Sequence, residues 1–360
     1  MVLRAHDVGA MLVDPRTAQI EGADFVAFNR MPYGPAAHFF LDFLLFANGD
    51  AHGERRNLFA RSFSLARVHA AQARMRAIAS EIVDQLPRGE PFDFLTHMAS
   101  RIPAEMMAAL LGLPRGDAPF IAGRAHSLSR AVAPVYPIER HDEIDAAALD
   151  LFDYVRDALL RRFETSQDDM LSMLLRDWAV DRPVTLECLI HQIMGIMIGG
   201  FDTVRSSLAM LVALLLQHPD QWVMAKADPA RIPDAVSETL RFEPPVGSIL
   251  RFVREPVEID GVLVPAGHYL CVSTLSALRD PTVCAHPDRF DICRTDRPLM
   301  HLVFGNGPHR CIGEMLARFE LQEALAALIA SAHDLSLIEP PRMLGFGGVR
   351  QITPMQVRLD

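Results

Sequence analysis

The chain has 360 residues, half of them hydrophobic, 22% charged and 7% aromatic, with a net charge of −10. That balance excludes a general nucleic-acid binder, and the composition excludes collagen, coiled coil, a disordered tail and a disulfide-knotted toxin. The length allows two domains or one large helical domain, and roughly three quarters of the unfolded surface is then buried without disulfide staples. Five cysteines (188, 271, 284, 293 and 311) form no C-x-x-C pair, which suits a reducing cytoplasm. Residues 1–20 carry Arg4, Asp7, Asp14 and Arg16 and hold no apolar core of signal-peptide length.

Residues 1–20 read as a short strand or loop and then a helix ended near Asp14-Pro15. Residues 21–50 hold six of the twenty phenylalanines among glycines and prolines and read as a loop-rich apolar segment. From His52 to about Leu86 the pattern is helical, and residues 51–80 carry six arginines (55, 56, 61, 67, 74 and 76) against Glu54 alone, a local charge of +5. Further helices are expected over 92–112, 117–130, 141–163 and 168–178, separated by proline and glycine. Thr185 caps a helix running to about His218, roughly 48 Å at 1.5 Å per residue. Its most apolar part, Leu189 to Leu216, is interrupted by His191, Asp202 and Arg205, so it reads as a buried helix and not a membrane span. Residues 234–242 are helical again. Strand signals come late, at 249–260, 262–273 and 355–359, with a glycine-rich turn at 345–348. A last helix begins after Gly313 and ends near Ala332. The fold class is mainly α with a minor β region, in a single domain.

The chemistry concentrates at Cys311, in Phe304-Gly-Asn-Gly-Pro-His-Arg-Cys-Ile-Gly313. Three glycines and a proline before a helix make a tight loop whose N–H groups can point at one sulfur, and a helix N-terminus stabilises a thiolate. Arg310 and His309 add positive charge. Taken alone, such a sulfur suits a nucleophile, a redox thiol, a metal ligand or simply a small hydrophobe.

Phe304-x-x-Gly307-x-x-x-Cys311-x-Gly313 resembles the haem-binding loop of the cytochrome P450 family. Four more motifs accompany it in the family's order. Glu238-Thr-Leu-Arg241 matches the E-x-x-R helix; His286-Pro-Asp-Arg289-Phe290 resembles the segment whose arginine completes a Glu–Arg–Arg cluster. Gly199-Gly-Phe-Asp202-Thr203 looks like the oxygen-binding stretch of the long helix. His52-x-x-x-Arg56 resembles a pair that binds a haem propionate. The resemblance spans nearly the whole chain and implies haem b between the long central helix (about 186–218) and the helix after Cys311. Cys311 is then the axial thiolate ligand of the iron, Phe304, Gly305 and Gly199 lie against the cofactor, and Glu238, Arg241 and Arg289 form a structural cluster.

Asp202 and Thr203 resemble the family's acid–alcohol pair, which delivers protons during oxygen activation; relays of this kind contribute typically about 10²–10⁴-fold. Thr203, four residues after Gly199, can bond that carbonyl and bend the helix, whereas close helix packing is the simpler reason for Gly195, Gly199 and Gly200. The propionates need donors, and His52, Arg56, Arg251 and His309 are the candidates. The chain has no nucleotide, flavin or iron–sulfur motif of its own, so the resemblance implies a ferredoxin-type donor with its reductase, fed by NAD(P)H. The basic 51–80 stretch could steer such an acidic partner or be a solvated helix face. By analogy with the family, Phe25, Phe28, Val246, Ile249 and Phe346 line an apolar substrate site for a neutral hydrophobic molecule; much of 39–46 reads as core. The implied activity is insertion of one atom of O2 into that molecule. The competing readings are a haem-thiolate ligand sensor and a peroxide-driven oxygenase. His52 comes early for the family, so an N-terminal helix and first strand are expected to be absent, through natural abbreviation or a misplaced start.

Overall fold

The computed structural model describes residues 1–133, 135–296, 302–331 and 334–360. Two compact units share the chain: one is built from Met1–Thr17, Ala70–Pro103 and Thr203–Asp360, the other from Ala18–His69 and Ala104–Asp202. In chain order the helices are α1 (Ala5–Met11), α2 (Gly22–Phe28), α3 (Pro35–Asp42), α4 (Gly49–Asn57), α5 (Leu65–Asp84), α6 (Arg101–Leu111), α7 (Ala118–Ser129), α8 (His141–Glu164), α9 (Met170–Asp181), α10 (Leu186–Gln217), α11 (Pro219–Ala227), α12 (Ile232–Phe242), α13 (Thr274–Ala277) and α14 (Glu314–Ser331). The expected end of the last helix, Ala332, lies outside the described residues.

The long helix α10 starts as its sequence dictates: the Thr185 hydroxyl accepts from the Cys188 N–H at 3.1 Å, satisfying a donor that no helical turn precedes. Its apolar window meets the length and composition of a membrane span, but 78% of that window is buried inside the protein, as befits a core helix. Pro219 ends it and also opens α11 from the first helical position, where the missing N–H costs nothing, so a residue expected only to stop one helix also starts the next.

Two expectations fail, one for a long-range reason and one for a local one. Residues 21–50 are not loop-rich: they form α2, α3 and a 3₁₀ turn at Leu44–Phe46. Asp145 of α8 accepts from the Ala36 N–H at the start of α3 at 2.9 Å, and Gln192 of α10 accepts from Leu44 N and donates to the Asp42 carbonyl. The phenylalanines pack on one another, with Phe25 centred 4.9 Å from Phe40 and 4.6 Å from Phe46. Nor is 92–112 one helix. Asp93 accepts from the N–H groups of Leu95 and Thr96 and from the Thr96 hydroxyl, an Asx-type turn that separates strand Pro91–Asp93 from a π-turn at Leu95–Ala99 and from α6.

The sheets of the first unit are small and antiparallel. Ile249–Val253 pairs with Tyr269–Val272, and Val2 bridges Val272 in parallel. Val257–Ile259 and Val262–Val264 form a hairpin whose turn residues, Asp260 and Gly261, both have positive φ, as the favoured two-residue turn requires. Gln356–Leu359 lies between Pro91–Asp93 and Leu335–Glu339. Val2, Val8, Met11, Leu12, Val253, Val257, Leu270, Val272 and Ala277 form a core under the first of these sheets.

Candidate active site

The loop before α14 is tied shut around Cys311. The Cys311 N–H donates to the Phe304 carbonyl at 2.8 Å, and Arg310 Nη1 donates to the Gly305 carbonyl at 3.0 Å. Gly305 and Gly307 have φ of +72° and +67°, in the region that favours glycine; a side chain at Gly307 would also press on Val13. Cys311 is thereby left exposed, three residues before the helix begins. The expected cationic help from Arg310 is largely spent, because Glu314 pairs with it at 2.6 Å. His309 is half-buried at the end of a 3₁₀ turn, and Phe304 lies under the Arg318 guanidinium at 5.1 Å.

The Glu–Arg–Arg cluster exists, but its third member is Arg294 and not Arg289. Arg241 donates two 2.8 Å bonds to the Glu238 carboxylate, and Arg294 Nε stands 3.4 Å from Glu238 with its side chain 5% exposed. The side chain of Arg289 is 71% exposed and lies near Asp291; only its carbonyl joins the cluster, accepting from Arg241 and Arg294. Both arginines sit in the same irregular segment. Arg294 is drawn inward by Asp296 and by the carbonyls of Ala285 and His286, partners that spacing in the sequence does not reveal.

On α10 the three glycines part company. A Cβ at Gly195 would collide with the Phe43 ring and one at Gly200 would lie 2.6 Å from Met107 Cε, so both are packing glycines. A Cβ at Gly199 would meet no atom within 4 Å, leaving open space beside the residues that follow. Asp202 is buried at 5% exposure and Thr203 half-buried. Asp202 is also engaged: His126 Nδ1 lies 2.9 Å from both its oxygens and Ser129 Oγ 2.6 Å from Oδ2. No spacing pattern singled out these two residues of α7.

Among the propionate candidates, Arg251 is the most telling. It is 6% exposed, it donates to the Thr17 hydroxyl and carbonyl at 3.2 and 2.7 Å, and burial, helped by neighbouring Arg254, pushes its pKa down to about 10. Asp14 opposes that shift through space, but the hydrogen bonds of this buried cation go to neutral oxygens, which compensate its charge poorly. His52 and Arg56 lie at i and i+4 on one face of α4; burial, then Arg56 and Arg55, push the His52 pKa below its ordinary value, which disfavours the charged imidazole. The substrate candidates scatter. Phe25 is buried in the ring cluster, Phe28 and Phe346 are each 64% exposed, and Val246 and Ile249 are half-buried, with Ile249 Cδ1 3.7 Å from where a Cβ on Gly305 would stand.

The family model described as Cytochrome P450 matches residues 232–336. The chain is 39% identical over its whole length to the plant-inducible cytochrome P450-pinF1 of Rhizobium radiobacter, covering 85% of that protein. It is 33% identical over 87% of its length to the luteothin monooxygenase of Streptomyces thioluteus, covering 75% of it. Among solved structures it resembles CalO2 at a TM-score of 0.92 and 26% identity, over all of this chain and 90% of the other. The chain therefore belongs to the cytochrome P450 family, whose cofactor is haem b, and is a haem-dependent monooxygenase.

Proposed function

We propose that residues 1–360 act as one catalytic domain in which Cys311 ligates the haem iron, Arg251, Arg56, His52 and His309 receive the propionates, and Asp202 with Thr203 supplies protons. The carrying observation is Arg251, a buried guanidinium whose hydrogen bonds go to neutral oxygens and which feels the Asp14 carboxylate through space without an ion pair to it; an anionic group bonded to it completes it. The exposed Cys311 thiol suits an axial ligand, and the open space at Gly199 suits a small bound molecule such as O2. Bound there, haem supplies the one-electron and O2 chemistry. The protein's own part is to hold the sulfur in a rigid loop, neutralise the propionates and keep a proton at Asp202 and the Thr203 hydroxyl.

Electrons come from a ferredoxin-type donor and its reductase, drawing on NAD(P)H. Support for this is the helix α5, which exposes Arg67, Arg74 and Arg76, although Arg76 pairs with Glu323 and Arg61 before it with Asp177. The substrate is a neutral hydrophobic small molecule, and the setting is the cytoplasm, in keeping with cysteines that form no disulfide among the described residues. The reduced protein with CO should show the red-shifted Soret band of a thiolate-ligated haem, and Cys311→Ser should abolish it; survival of the band in the variant overturns the ligand assignment. A library of terpenoid, polyketide and aromatic compounds screened for haem spin-state shifts identifies the substrate class, and shifts confined to charged compounds overturn the apolar reading.

A further inference from the structure

The contacts of Asp202 have a chemical peculiarity. Ser129 Oγ lies 2.6 Å from Asp202 Oδ2 and 2.8 Å from the His126 carbonyl oxygen. A hydroxyl carries one proton, so Ser129 serves these two acceptors in alternation. When Asp202 is ionised the hydroxyl donates to Oδ2; when Asp202 is protonated the hydroxyl donates to the His126 carbonyl and accepts from the carboxyl. The imidazole has the same freedom, since Nδ1 donates as N–H or accepts through its lone pair. An arginine or lysine in either place could only donate, and would fix the acid as an anion. The side-chain exposures run from 35% at His126 to 8% at Asp202, so the imidazole stands between solvent and the buried acid. Nearby, Glu143 of α8 accepts from the Ser127 hydroxyl at 2.9 Å.

We propose that His126 is the proton carrier that recharges Asp202 from solvent, and that Ser129 is the hydroxyl switch that lets the acid stay bonded in both protonation states. The proposal deepens, and rests on, the reading of Asp202 as proton donor. The transfer balances without any oxidant. A hydronium ion from solvent protonates Nε2, the Nδ1 proton passes to an Asp202 oxygen, and the carboxyl later releases it toward Thr203. An ionised Asp202 and an Nε2–H imidazole remain, and the ring returns to its Nδ1–H tautomer by exchange with solvent, Nδ1 taking up one proton and Nε2 giving one up. His126 is thus a positioning and proton-supplying residue, not one that meets the substrate.

The test uses haem-loaded protein with NADPH, a surrogate ferredoxin and its reductase, reading O2 consumption in H2O and D2O. Asn at position 126 keeps an N–H donor near the place of Nδ1 but carries no proton between solvent and acid. His126→Asn should slow O2 consumption at least tenfold and enlarge the solvent isotope effect, while the double variant with Asp202→Asn is no slower than Asp202→Asn alone. The second readout is independent of turnover. In the diamagnetic CO-bound form, ¹⁵N-histidine spectra should show His126 as the Nδ1–H tautomer, and Asp202→Asn should mix the tautomers. Wild-type rates in His126→Asn beside a slow Asp202→Asn overturn this proposal alone, as does an Nε2–H tautomer in the wild type. Wild-type rates in Asp202→Asn overturn the donor reading itself.

Discussion

Arg241 and Glu238 form a two-pronged ion pair, Nε to Oε2 and Nη2 to Oε1, each at 2.8 Å, with side chains 1% and 0% exposed. On a wet helix face such an i,i+3 pair is worth tenths of a kcal/mol. Buried, it makes each partner a liability once the other is gone, at about 3–5 kcal/mol. Glu238→Ala and Arg294→Ala should therefore lower the urea stability of the haem-loaded protein by an amount in that range. Arg289→Ala should stay within about 0.5 kcal/mol, as exposed substitutions do. Equal losses at 289 and 294 would refute the reassignment of the cluster.

The glycines of α10 predict opposite outcomes. Gly195→Ala forces the Phe43 ring aside and should cost about 1–3 kcal/mol as overpacking. Gly199→Ala meets nothing, gains about 1 kcal/mol of helix propensity and should raise the melting temperature. The same methyl enters the space proposed for the oxygen site, so CO affinity of the reduced protein should fall. A melting temperature that drops at 199 counts against open space there.

Asp280 anchors the first helix. Its Oδ2 accepts from the Ala5 N–H at 2.8 Å, and its Oδ1 from the Thr282 N–H and hydroxyl at 2.9 and 2.7 Å. The Thr282 hydroxyl first, then the N–H groups of Ala5 and Thr282, hold the carboxyl below its ordinary range against the opposing effect of burial. A depressed acid gives stability that is complete above its unfolded pKa, about 4, and lost as the pH falls through the folded value, because the unfolded chain binds the proton first. Asp280→Asn should cost about 1–3 kcal/mol at pH 7, and the gap to wild type should narrow below about pH 4. Denaturant midpoints at pH 7, 5 and 3.5 measure this; a gap constant across them denies the carboxylate its role.

Arg251→Leu removes the buried cation and should loosen the cofactor. A charge-assisted hydrogen bond is worth about 1.5–3 kcal/mol, so haem transfer to apomyoglobin should quicken on the order of ten- to a hundredfold, with Arg251→Lys in between. Unchanged transfer would remove Arg251 from the propionate set.

What the sequence disclosed followed how local its cause was. The Thr185 cap, the Asp14-Pro15 stop and the loop ending at Cys311 are written in neighbouring residues, and each was legible. The helices α2 and α3 were not, because Asp145 and Gln192, more than a hundred residues away in the chain, hold the start and end of α3. The same reason separates Arg241, found at i+3 from its acid, from Arg294, which only the folded chain brings to Glu238. His126 and Ser129 were invisible for the same cause: their meaning comes from an acid 76 and 73 residues on.

The strand Gln356–Leu359 occupies the middle of its sheet, flanked by Pro91–Asp93 and Leu335–Glu339, and Val357 and Leu359 are fully buried. Asp93 waits 262 residues for the Met355 N–H that it accepts. During synthesis, then, the unit made of residues 18–69 and 104–202 has all its own segments available long before this sheet can close. Closure waits until residues 356–359 have been made and have emerged, and until then the Pro91–Asp93 edge stands unpaired, open to chaperones or to a neighbouring nascent chain.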